Sequence, residues 1–70
     1  MIALDMLGRR LRAGDYILRA DNGNLCMGRI TRLVNHPDGA LVLIDNSLYI
    51  WSNNASKISG KLVVAHKLSE

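Results

Sequence analysis

Beyond residue 14, apolar and polar positions follow a period of two, and turn-forming clusters break the pattern at short intervals. A period of two is the signature of β-strands with one face turned inward. The pattern predicts strands at Asp15–Arg19, Leu25–Val34, Ala40–Ile44, Leu48–Trp51 and Lys61–His66. Between the first two lies Asp21-Asn22-Gly23-Asn24, which supplies the positive-φ positions that reverse a chain. In Asn35-His36-Pro37-Asp38-Gly39 the proline forbids continued pairing and the glycine leads into the next strand. Asp45-Asn46-Ser47 is a tight connection. Ser52-Asn53-Asn54-Ala55-Ser56 predicts a short 3₁₀ or helical turn capped by asparagine or serine.

The first fourteen residues support two readings. Leu4, Leu7 and Leu11 have helical spacing, with Gly14 placed to end a short amphipathic helix. Gly8 inside that helix would cost about 1 kcal/mol relative to alanine. An extended segment with a turn at Asp5-Met6-Leu7-Gly8 is therefore preferred. The predicted fold is all-β: a five-stranded SH3-like small barrel or a strongly bent antiparallel sheet, preceded by this short N-terminal segment.

Seventy residues allow one domain, residues 1–70, near the lower limit for an unaided hydrophobic core. Cys26 is the sole cysteine and forms no intramolecular disulfide. Between Leu25 and Met27 it reads as a small core hydrophobe in a reducing compartment. No run approaches the ~18 apolar residues of a membrane span. Met1 to Met6 lacks the basic start of a signal peptide, so the expected location is cytoplasmic, without membrane attachment. The formal net charge of +3 favours anionic partners. Its distribution says more. All six arginines lie between Arg9 and Arg32, opposed there only by Asp15 and Asp21, whereas residues 33–56 hold no Lys or Arg.

Asp5-Met6-Leu7-Gly8-Arg9-Arg10-Leu11-Arg12-Ala13-Gly14-Asp15-Tyr16 resembles the opening of small bacteriophage-encoded proteins. Their pattern is close to D-x-L-G-R-x-L-x-x-G-D-Y, and most lack an assigned function. Gly14-Asp15 and Gly28-Arg29-Ile30 are similar to the KOW elements of ribosomal proteins and transcription elongation factors. The resemblance covers about Asp5 to Val34 and implies a KOW- or Tudor-like SH3 barrel working in a host cytoplasm. The second half departs from it, with neither an aromatic cage of the Tudor kind nor a proline-peptide groove of the signalling SH3 kind.

Catalytic chemistry has little to stand on. His36 and His66 have no nucleophile at a meaningful spacing, and with Cys26 they form no metal-ligand pattern. No phosphate-binding glycine motif is present. A non-enzyme without cofactor or metal is expected.

Two features suggest binding. Arg9, Arg10, Arg12, Arg19, Arg29 and Arg32 would form a phosphate-binding stripe if the first two long strands pair antiparallel. The plain alternative is charge that keeps an apolar chain dispersed. Tyr16 fits either a base-stacking platform or the barrel core with its hydroxyl at the rim. The second feature is apolarity on both faces of the later strands. Val42 and Ile44 take one face and Leu41 and Leu43 the other, and Tyr49 and Trp51 oppose Leu48 and Ile50. Both faces then need cover, from a second copy of the chain or from the N-terminal segment folded across the outer face. The expected interface is Leu41, Leu43, Tyr49 and Trp51.

The expected function is a non-catalytic accessory module binding a phosphate-bearing partner, nucleic acid first and nucleotide second. The alternative is an oligomeric host-takeover or counter-defence protein that inhibits a host protein or sequesters a nucleotide signal.

Overall fold

The computed structural model describes residues 1–63. The N-terminal segment is extended, as the weak helical signal at Gly8 suggests. Strand β1 (Ala3–Leu4) pairs antiparallel with β2 (Arg10–Leu11), Ala3 opposite Leu11. The reversal runs from Asp5 to Gly8, closed by the Gly8 N–H donating to the Asp5 carbonyl at 3.0 Å, with Gly8 at φ +79°. Only glycine takes that conformation without strain.

A five-stranded antiparallel sheet follows. Its strands are β3 (Tyr16–Asp21), β4 (Asn24–His36), β5 (Gly39–Ile44), β6 (Leu48–Trp51) and β7 (Ser56–Ile58), in spatial order β6-β5-β4-β3-β7. A four-strand meander with the last strand returned beside the first is the order of an SH3-like barrel. Here the sheet stays open between β6 and β7, so the strongly bent sheet describes it better than a closed barrel. Asn22 and Gly23 take positive φ between β3 and β4, and Asp45 and Asn46 do so between β5 and β6. These are the turn geometries that match the twist of the flanking strands.

Three expectations need correction. Proline does not end pairing at Asn35: β4 continues to His36, which pairs with Gly39, so Pro37-Asp38 alone forms the reversal. A proline within a two-residue turn removes no ladder hydrogen bond. The turn after β6 is a 3₁₀ helix (Ser52–Asn54), but the capping residue is Trp51 and no side chain caps it. The fifth strand of the sheet is Ser56–Ile58, earlier than the predicted 61–66. Residues 60–63 are helical instead, with Leu62 and Val63 N–H groups donating to the Ser59 carbonyl at 3.1 and 3.2 Å. Ser59 Oγ accepts a further bond from Leu62 N–H at 3.3 Å, which favours the helical turn over continued extension. Residues 64–66 of the predicted strand lie outside the described residues.

The core lines the inner face of the bent sheet: Ile17, Ile30, Val42 and Ile44, joined by Ala55 after the 3₁₀ turn. Ala3 and Leu11 complete it, both essentially inaccessible. The N-terminal hairpin therefore covers the inner face, while Tyr49 and Trp51 on the outer face of β6 stay exposed. Gly28 holds the sheet tight, because a Cβ there would run into the Ile44 side chain. No helix among the described residues is long and apolar enough to cross a membrane.

Gly28→Ala is expected to lower stability by about 1–3 kcal/mol through this overpacking. Thermal denaturation should show Tm falling by roughly 10 °C with the far-UV circular dichroism of a β-protein retained.

Candidate anion-binding surface

The structure divides the six arginines by role. Arg9 is a framework residue. Its Nε and one terminal nitrogen both reach Asp5 Oδ2 at 2.9 Å, and the same nitrogen donates to the Lys57 carbonyl at 2.7 Å and to Ser56 Oγ at 3.2 Å. Asp5 is buried and also accepts backbone N–H groups from Leu7 (3.0 Å), Arg9 (2.8 Å) and Lys57 (2.9 Å). Burial alone would raise the Asp5 pKa. The backbone donors of Lys57 and Arg9, then the Arg9 side chain and Leu7 N–H, together outweigh it and hold the pKa down at about 2. Arg19 is half-buried beside Asp21, 3.8 Å away. These two guanidinium groups already have anionic partners.

Arg10, Arg12, Arg29 and Arg32 are exposed and form no ion pair with any described carboxylate. Arg29 stands directly opposite Tyr16 across the β3–β4 ladder, its guanidinium carbon 5.7 Å from the ring centroid. Its Nε donates to the Gly14 carbonyl at 3.3 Å. The ring contact and the Nε hydrogen bond together position the guanidinium, and neither uses a terminal nitrogen as donor.

Arg29 and Arg32 are three residues apart, and a regular strand would send them to opposite faces. A β-bulge prevents this. Ile30 pairs with Ile44 and Arg32 with Leu43, so Thr31 is the extra residue. Leu43 faces outward from the Val42 and Ile44 side, and Arg32 therefore shares the outer face with Arg29 and Tyr16. Thr31 secures the bulge: its Oγ1 donates to the Leu43 carbonyl at 3.2 Å and accepts the Asn46 N–H at 3.3 Å. Bulges of this type re-aim side chains at binding sites.

Beside Arg29 the surface is concave, a depression of about 500 Å³ lined by Ala13, Gly14, Arg29, Ile30, Thr31 and Asn46. Arg12 lies two residues before Gly14, with its backbone N–H tied to Asp15 Oδ2 at 2.8 Å. Arg10 is on β2, and its carbonyl accepts a bond from Lys57 Nζ at 3.3 Å. Thr31 and Asn46 carry no signal of their own in the sequence. Only the bulge and the left-handed turn at Asn46 (φ +57°) bring them to the arginine. Among the described residues no group of His, Cys, Asp or Glu could hold a metal ion. Comparison with protein-family models, curated proteins and solved structures gives no match.

Asp5→Ala should destabilise the fold by on the order of 3 kcal/mol, since it strips a buried carboxylate from several donors. Arg9→Ala leaves the backbone donors in place and should cost less, about 1–2 kcal/mol. Urea titration separates the two. Because the folded-state pKa is depressed, the Asp5 contribution is complete above the unfolded value near 4 and is lost as pH falls through about 2. Asp5→Asn should flatten that acid limb.

Proposed function

We propose that this chain is a non-catalytic binding module for a phosphate-bearing polyanion, nucleic acid in the first place, through the outer face around Arg29 and Arg32. The observation that carries the reading is the bulge at Thr31, which brings two exposed arginines and Tyr16 onto one face. Evolutionary or chance solubilising charge needs no such convergence; a contact surface for a charged chain does. Arginine suits the task because its planar fork binds phosphate bidentately and stacks on bases. Arg10, on β2 of the N-terminal hairpin, and Arg12, two residues before Gly14, are further exposed arginines without a carboxylate partner among the described residues. Among the described residues no helix offers itself for a groove, and the arginine face suits contacts to the phosphate backbone. A phage setting, as the opening motif suggests, would make host or phage nucleic acid the natural partner.

Fluorescence anisotropy with short single- and double-stranded oligonucleotides at two salt concentrations tests this. Three to four phosphate contacts should give a log–log salt slope of about −2 to −3. Arg29→Ala combined with Arg32→Ala should reduce the slope by about 1 to 2 and weaken binding. Arg19→Ala should leave the slope unchanged, since that group is already paired. Absence of binding at low salt would overturn the reading.

A further inference from the structure

The two edges of the sheet are treated differently. At β7 the edge is closed: Lys57 places a charge on it, and its N–H is taken by Asp5 Oδ2 at 2.9 Å. Charge and covering contacts are the usual means by which a sheet edge is kept from pairing with another chain. At β6 there is neither. Leu48-Tyr49-Ile50-Trp51 has no charge, no proline and no bulge, and among the described residues it pairs with β5 alone. Tyr49 is 51% and Trp51 37% accessible. A groove of about 790 Å³ borders this strand, where Tyr49, Ile50 and Trp51 meet Leu18, Arg19 and Leu25 of the β3–β4 hairpin.

We propose that β6 is a homodimer edge, pairing antiparallel with β6 of a second copy about a two-fold axis. Charge favours a copy as the occupant. The chain is cationic overall, yet residues 33–56 contain no Lys or Arg, and the arginine lining the groove, Arg19, lies 3.8 Å from Asp21, so two copies pair β6 without setting unpaired arginines against each other. A polyanion, in contrast, is drawn to the other half of the molecule.

Strand geometry fixes the register. Residues directly opposite in an antiparallel pair share a face. Tyr49 and Trp51 lie on the outer face, opposite Leu43 and Leu41, while Ile50 lies on the inner face opposite Val42. A two-fold through Ile50 sets Ile50 against itself and Tyr49 against the second copy's Trp51, twice over. The exposed aromatics then form two cross-strand pairs of the kind that stabilises sheets. The outer faces of both copies become one surface. On the reading of the preceding subsection, that surface carries the Arg29 and Arg32 of each copy on the same side.

Light scattering over a range of micromolar concentrations should give twice the 7.7 kDa of the single chain. Tyr49→Lys and Trp51→Lys, both at exposed positions, should each halve the mass while the circular dichroism is unchanged. In a Cys26→Ser background, Tyr49→Cys mixed with Trp51→Cys should cross-link under mild oxidant, because opposed strand residues lie within disulfide reach. Either variant alone should link poorly. A monomer at all concentrations overturns the proposal, as does a dimer that survives both lysine variants or links Tyr49→Cys to itself. Oligonucleotide anisotropy is a separate readout, so failure of the dimer and failure of anion binding are distinguishable.

Discussion

The Asp5 carboxylate is the contact on which the rest of this small fold depends. It gathers N–H groups from its own turn and from β7, and it holds the Arg9 guanidinium that reaches on to Ser56 and the Lys57 carbonyl. The N-terminal hairpin and the last strand of the sheet are thereby fastened to each other. That matters because the hairpin supplies Ala3 and Leu11 to an aliphatic core with no aromatic member. A chain of this length has little apolar area to spare. If the hairpin detached, Ile17, Ile30 and Val42 would lose their cover. A charged hydrogen-bonded cluster at the seam is a strong way to fix one arrangement, provided every donor and acceptor is satisfied, and among the described residues no buried side-chain polar atom lacks a partner.

The same cluster alters the meaning of the opening motif. In Asp5-x-Leu7-Gly8-Arg9 the aspartate accepts, the glycine turns with positive φ, and the arginine bridges to β7. These residues build architecture. Arg9, which belongs by charge to the basic stripe, is spent on the seam. The free positive charge lies instead with Arg29 and Arg32 on the outer face and with Arg10 and Arg12 near the hairpin.

Much of the fold was legible because local signals agreed with it. Asn22-Gly23 and Asp45-Asn46 demand left-handed backbone, and the alternation of Val42 and Ile44 with Leu41 and Leu43 assigns inner and outer faces correctly. What escaped was set by contacts distant in sequence. Ser56-Lys57-Ile58 is too short to show a period, and it becomes a strand because β3 and Asp5 hold it on either side. Leu62-Val63 looked like strand by composition, but Ser59 caps a helical turn there. For the site, the obstacle was the bulge. The spacing of Arg29 and Arg32 argues for opposite faces, and only the hydrogen bonds of Thr31 to Leu43 and Asn46 reverse that. A hydroxyl with two backbone partners across the ladder has no counterpart in a pattern of apolar and polar letters.

The division of labour along the chain follows from these placements. The first half carries the arginines, and its long strand β4 is bent and bulged so that part of that charge converges. Residues 33–56 hold no Lys or Arg and include the unprotected strand edge of β6. Each half would be compromised by the other's chemistry. Arginines on β6 would put charge into the row of Leu41, Leu43, Tyr49 and Trp51, and apolar residues around Arg29 would replace the polar Thr31 and Asn46 that line the depression beside it. The bulge falls within the charged face: before it β4 pairs with β3 and sets Arg29 over Tyr16, and after it β4 pairs with β5 and sets Arg32 opposite Leu43, beside the apolar row that ends at Trp51. A single inserted residue thus lets one strand serve a charged surface and an apolar one without either crossing the core.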